Sequence, residues 1–486
     1  MVSEVYNVGW CFDNSYSRLP EVMLSRVPPT PVKKPKLVLL NNALCDELGL
    51  DFSNVKENHI SSLFSGNILP PGSASIAQAY AGHQFGFFTV LGDGRALLLG
   101  EHISKKEKRF DIQLKGSGRT PYSRSGDGRA ALGPVLREYI ISEAMSALEI
   151  PTTRSLAVVS TGESIVRDSV QRGAILTRVA SSHIRVGTFQ YVNLSKNRNL
   201  LEVLVNYVIE RHYPEIKGDE NPALRLLEVV LDSQIKLIVN WMRVGFIHGV
   251  MNTDNMSVSG ETIDYGPCAF MDVYDQKTVF SSIDTHGRYS YGNQPLIANW
   301  NLYRFAESLL PVIDSDQKKA AIKAKKVLDS FSENYKNLWF KMMKKKLGLL
   351  GDDVGDEWLI NNLLDWLYKN KFDYTNFFRL LMKNRNAISE DDVFVYWYMR
   401  WRDRIKKNKG SLDECLKTMS LANPAIIPRN HIVESVLKSA CDDYNFTALN
   451  EFLDVLGRPY DRGLRLSKYK KTPVVPEIPY KTFCGT

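Results

Sequence analysis

The chain predicts an α+β protein of two lobes, a β-rich small lobe with one key helix and a mostly helical large lobe. Three observations carry this. At 486 residues the chain is too long for one small domain. From about residue 81 to 190, short apolar runs alternate with glycine-rich turns, as strands do. Beyond about residue 196, NLLEVLVNYVIERHY and ALRLLEVVLDSQIKLIVNWMRVG space their apolar residues as long buried helices do. The expected division is an N-terminal extension over 1–80, the small lobe over 81–190, and a helical lobe with a C-terminal extension over 191–486.

Taken in order, VPPTPVKKPKLVLLN from Val27 reads as an extended arm, and residues 1 to about 80 as an extension with short helices. FFTVLGDGRALLLGEH from Phe87 predicts two strands joined as a hairpin at Gly92-Asp93-Gly94. RFDIQLKGSG predicts another strand, with Ile112 and Leu114 on one face. GPVLREYIISEAMSALEI predicts a helix entered at Pro134, with Leu136, Ile140, Ala144 and Leu148 along its apolar stripe. SLAVVST and AILTRVAS then predict two more strands. The order β-β-β-α-β-β is that of a protein-kinase small lobe.

Bulk properties narrow the function. A hydrophobic content of 44% and a charged content of 24% are those of an ordinary globular protein. The net charge of +8 is spread among acidic residues rather than gathered into a stripe, which argues against a nucleic-acid partner. No run of about eighteen apolar residues occurs, and the first residues lack a signal or transit pattern, so a cytoplasmic protein without a membrane partner is expected. Six cysteines without a C-x-x-C pair indicate neither a zinc site nor a disulfide framework.

HGVMNTDNM, His248 to Met256, carries the His and Asn of the kinase loop H-x-D-x-x-x-x-N, but Val250 stands where the catalytic Asp belongs. Nine residues after Asn255 comes Asp264-Tyr265-Gly266, in the place of the metal-binding D-F-G. Upstream, Lys115 ends a strand and Glu138 lies on the following helix, the natural carboxylate to fix a phosphate-binding lysine. Any one of these is weak, and the ordered set is strong. Asn255 and Asp264 offer two hard oxygens suited to Mg²⁺ or Mn²⁺ bridging nucleotide phosphates. Asp254 can supply the missing base, displaced by four residues, or it caps a turn. Arg178 and Arg185 fall where a kinase builds its adenine pocket. They suit triphosphate oxygens there, unless both pair with acidic side chains. Gly92, Gly94 and Arg95, and Asp127-Gly128 within GSGRTPYSRSGDGRAALG, supply backbone able to approach a nucleotide closely.

YAGHQFG, LGDGRA, LKGSGRTPYSRSGDGRA, HGVMNTDNMS, DYGPCAFMD, GRYSYGNQP and NPAIIPRNH together resemble the selenoprotein O family over essentially the whole chain. The resemblance implies a protein-kinase-like bilobal fold that transfers AMP from ATP, bound in a flipped orientation, to Ser, Thr or Tyr hydroxyls of proteins. UMP transfer is credited to some members. Position by position, it implies nucleotide contacts at Gly92, Gly94, Arg95, Lys115, Asp127, Gly128, Arg178 and Arg185. It further implies a proton acceptor at Asp254, metal ligands at Asn255 and Asp264, and a lysine partner at Glu138. Two departures stand out: the tail is TFCGT, with Cys484 in place of selenocysteine, and KTVFSSIDTHGRY lacks the cysteine that the resemblance implies as the loop partner of a redox disulfide with the tail, so that a Cys268–Cys484 link and no such control are both open. The rival readings are γ-phosphate transfer by a conventional protein kinase and a nucleotide-binding scaffold without turnover.

Overall fold

A computed structural model of the chain describes residues 7–383, 388–461, 467–473 and 480–483. Its first half is organised by an antiparallel sheet of eight strands. In chain order the strands are β1 (Leu24–Arg26), β2 (Lys36–Leu40), β3 (Ile76–Gln78), a separate pair β4 (Ala81–Gln84) and β5 (Phe87–Val90), then β6 (Ala96–Ile103), β7 (Arg109–Lys115), β8 (Ala130–Ala131), β9 (Arg154–Val166) and β10 (Val170–Ala180). Across the main sheet the order is β1-β3-β6-β7-β10-β9-β2, with β8 also paired to β10.

Strand alternation sets the two faces. Ile112, Leu114, Val159 and Ile175 pack with Leu44, Leu48 and Phe64 of helices α1 (Asn42–Leu48) and α2 (Glu57–Phe64). The alternate positions Val158 and Leu176 join the core built on helix α3 (Leu132–Ala147). With period two, Gln113 and Lys115 therefore turn toward α3, not toward α1. That choice of face places the lysine beside Glu138.

Two expectations change. Phe87–Val90 does not form a hairpin with Ala96–Ile103 but folds back on Ala81–Gln84, with Gln84 opposite Phe87. The turn residues Phe85 and Gly86 have φ of 50° and 89°, the positive torsions of a two-residue hairpin. Gly92-Asp93-Gly94 is then a crossover into the large sheet, where β6 pairs with β7. The second change concerns residues before 80, which contribute β1, β2 and β3 as well as short helices. The arm VPPTPVKKPKLVLLN ends in an edge strand on β9, where its prolines precede the pairing and cost no ladder bond.

After β10 the chain is mainly helical: α4 (Val186–Leu194), α5 (Arg198–His212) and α6 (Pro222–Val244) come first. Asn221 caps α6 at its start, and Gly245 ends it in the left-handed region with φ 74°, a conformation glycine takes without strain. Immediately beyond, β11 (Phe246–Ile247) pairs with β12 (Ala269–Phe270) and pins the two ends of the loop 248–268. Helix α7 (Gln294–Ile313) packs against both α4 and α6, and helices continue to Lys470. No helix among the described residues is long and apolar enough to cross a membrane.

Candidate active site

Five side chains from five parts of the fold form one chain of ion pairs. Lys115 Nζ donates to Glu138 Oε2 at 2.6 Å, and Arg178 Nε donates to the other oxygen, Oε1, at 2.5 Å. The same Arg178 reaches on through Nη2 to Asp264 Oδ1 at 2.7 Å. Arg185, the residue that starts α4, donates to Asp264 Oδ2, and to the carbonyl of Asp254 at 2.5 Å. Its guanidinium also lies over the Tyr80 ring, 4.7 Å from the centroid. The open question about the two arginines is thereby answered: both pair with acids, and those acids are the expected site residues.

The electrostatics follow from burial. Burial lowers the Lys115 pKa, helped by the charge of Arg178 and opposed by Glu138, to about 8. Burial alone would raise the Asp264 carboxyl, but Arg185, Arg178 and Lys115 outweigh it and hold it well below the usual range. Glu138 is likewise lowered, because Arg178 and Lys115 overcome its desolvation. Three cations thus share two carboxylates, a surplus of positive charge that suits phosphate. Asp264 has φ 61°, a left-handed torsion uncommon for a residue with a side chain and concentrated at functional sites.

Asp254 sits in a short turn, Thr253–Asn255, clamped by the β4–β5 hairpin. His83 N donates to Thr253 Oγ1 at 2.7 Å, and Gln84 Nε2 approaches Asp254 Oδ2 at 3.4 Å. Oδ1 is buried with no hydrogen-bond partner, an arrangement that costs stability and marks a group kept for chemistry. Burial raises its pKa to about 6, with Arg185 opposing. Asp254 follows the N-cap Asn252 of this turn, and its carboxyl also interacts with its own backbone N–H, so the turn role and the base role stand side by side. The neighbour Asn255 donates through Nδ2 to Val250 O at 2.9 Å, which orients the amide, while its Oδ1 accepts no bond among the described residues. His248 is scaffolding: it is buried, stacked on Trp241 at 5.5 Å, with Nε2 at 2.9 Å from Ile263 O.

Gly82 was part of a quoted motif but carried no assigned role. A methyl group there would overlap the Asp254 carboxylate, its Cβ falling 2.8 Å from the Asp254 Cβ. Gly82→Ala should therefore displace Asp254 and lower turnover at least about tenfold, since small misplacements of a reacting group are costly. Steady-state kinetics beside a thermal melt would check this; unchanged turnover would mean that the hairpin does not position Asp254.

The glycine loops behave differently from one another. Gly92 (φ 147°) and Gly94 are small because the 116–128 loop crosses them: a Cβ on Gly94 would meet Tyr122 O at 2.9 Å. Arg95 borders Lys115, and its charge contributes to the lysine's lowered pKa. Asp127 is not brought into the cluster; it faces outward, with both carboxylate oxygens on Arg167 at 2.9 Å. Gly128 packs on the backbone of Gly118. A buried acid missed from sequence is Asp93, which accepts from Gln78 N at 3.1 Å and fixes the crossover beneath Tyr80. Its D-G context read only as a turn. Cys268 is buried, and Cys484 lies outside the described residues.

No group of three or more His, Cys, Asp or Glu poised to hold a metal occurs among the described residues. Asn255 Oδ1 and the Asp264 carboxylate are, by their chemistry, a sparse, hard oxygen set. That set fits a divalent ion that keeps waters and completes its shell with phosphate oxygens.

The family model described as Protein adenylyltransferase SelO matches residues 8–456. A protein nucleotidyltransferase YdiU of Pelagibacter ubique (strain HTCC1062) is 55% identical over 485 residues, 99% of this chain and 100% of that relative. Proteins of the same name from Nitrosococcus oceani and Anoxybacillus flavithermus are 53% identical over 483 residues and 54% over 480, each across 99% of this chain and 98% and 100% of their own lengths.

Proposed function

Since the chain belongs to the protein adenylyltransferase SelO family, we propose that it transfers AMP from ATP to Ser, Thr or Tyr hydroxyls of proteins within a kinase-like bilobal fold. Residues 81–190 form the small lobe of this reading and 191–486 the helical lobe. The observation that carries it is the ion-pair chain from Lys115 to Arg185, which ends at Asp254 itself, on the backbone carbonyl that Arg185 holds. Cations for a triphosphate and a carboxylate with one unpartnered oxygen meet at one place.

In this mechanism Arg178, Arg185 and Lys115 bind the phosphates. As the arginines turn to the incoming oxygens, Asp264 is released from two guanidiniums and becomes free to act as a ligand. Asn255 and Asp264 would hold a divalent ion, Mg²⁺ or Mn²⁺, whose chemistry when bound would be to neutralise phosphate charge and polarise the phosphorus under attack. Asp254 accepts the proton of the acceptor hydroxyl. The hydroxyl oxygen bonds to the α-phosphorus, the bridge to the β-phosphate breaks, and pyrophosphate leaves toward the cations. Glu138 holds both Lys115 and Arg178 in place through the whole sequence. The cluster addresses phosphates and no base, so UTP can serve the same chemistry as a UMP donor.

Incubation of protein acceptor with ATP labelled at either the α- or the γ-phosphate tests this. Label is expected to enter protein from the α position only. Entry from the γ position alone would establish phosphoryl transfer instead, and entry from neither would leave a binding scaffold.

A further inference from the structure

The surface opens into a largely apolar groove of about 520 Å³, lined by Phe85 and Phe87 of the β4–β5 hairpin, Ile283, and Leu296 of α7, together with Arg288. Phe87 is 79% exposed and Leu296 68%. Phe88 and Val90, at the alternate positions of β5, are exposed as well. Apolar residues gathered in one place on a surface mark a binding site more often than chance exposure does.

The groove and the site share a wall. Asn252 Oδ1 accepts from Phe85 N at 3.1 Å and from Tyr289 Oη at 2.7 Å, and the rings of Phe85 and Tyr289 pack at 5.1 Å. Asn252 lies two residues before Asp254, and Gln84, next to Phe85, touches the Asp254 carboxylate. A chain lying in the groove is therefore aligned with the hydroxyl-accepting group.

Charge selects the occupant. Arg288 stacks on Trp300, 4.8 Å from the ring centroid. It has no ion pair among the described residues, and its Nε is shielded from solvent without a hydrogen-bond partner. Asp284, which also lines the groove, turns its carboxylate onto the backbone N–H groups of Arg288 and Tyr289 and makes no ion pair with the Arg288 guanidinium. A cation left without a carboxylate in a largely apolar trough suits an acidic side chain from a partner.

We propose that this groove docks the acceptor protein, holding an extended segment with an apolar side chain between Phe87 and Leu296 and an Asp or Glu on Arg288, near the modified hydroxyl. This deepens the AMP-transfer reading and rests on it.

Oriented libraries of Ser-, Thr- and Tyr-centred peptides, incubated with ATP and Mg²⁺ or Mn²⁺ and read by adduct mass, test it. The wild-type protein is expected to add AMP preferentially to peptides with apolar and acidic flanks. Arg288→Glu should reverse the charge preference toward Lys and Arg. Leu296→Lys should lower kcat/KM for the preferred peptides about tenfold, the loss of one anchoring contact. ATP affinity, measured by calorimetry, should be the same in both variants. AMP addition with an identical peptide ranking in both variants would overturn the docking assignment while leaving the transfer reading intact. Phosphate adducts, or none, from the wild-type protein would overturn the transfer reading and the docking site with it.

Discussion

Asp264→Asn is expected to reduce AMP transfer about a thousandfold or more, because it removes the one charged ligand of the proposed metal pair at a site where charge stabilisation dominates. The same change should also cost stability. In the resting structure Asp264 is the anionic partner of both Arg178 and Arg185. Without its charge Arg178 keeps Glu138, whereas Arg185 keeps only the Asp254 carbonyl and the Tyr80 ring. Breaking a buried pair from one side costs about 3 kcal/mol. ATP supplies replacement anions, so the drop in melting temperature should shrink when nucleotide is added, even though turnover stays lost. This pairing of outcomes separates a ligand from a purely structural acid. A variant that turns over normally would remove Asp264 from the mechanism, and one whose melting temperature ignores ATP would remove the arginine exchange.

The parts of this architecture readable in sequence are those governed by local rules. The α3 stripe, the long helix stopping at Gly245 and the alternation of β7 all follow from periodicity and glycine torsions. From these, Lys115 facing Glu138 was deducible. The hairpin partner of Phe87–Val90 was not. Two neighbouring runs compete for the same strand, and the choice depends on Phe85 and Gly86 both accepting positive φ, which a Phe does not advertise. The candidacy of Asp254 was visible as spacing, but its burial under Gly82 was not, since that contact joins residues 172 positions apart along the chain. Asp127 shows the opposite limit. Its D-G turn looked like phosphate-binding backbone, and Arg167 pairs with its exposed side chain instead. The arginines that matter, 178 and 185, were legible as misplaced cations, while their partners had to be seen.

Asp254→Asn separates position from chemistry more sharply than any other change at the site. The substitution preserves shape, and the carboxylate it replaces makes one long side-chain contact, to Gln84, with its other oxygen buried and unpaired. Little bonding is lost, and the cost of enclosing an unpartnered charge disappears. The melting temperature should therefore hold or rise by a few degrees, as is common where a strained functional group is neutralised. Nucleotide affinity should also hold, because the phosphates are bound by Lys115, Arg178 and Arg185, none of which pairs with the Asp254 side chain. What should fall is the chemical step, by about a hundredfold to ten-thousandfold, the range for loss of a positioned base. Single-turnover labelling of protein from α-labelled ATP reads that step apart from product release. An unchanged rate there would return Asp254 to the role of a turn residue, and Val250 would then mark a lost base with no successor.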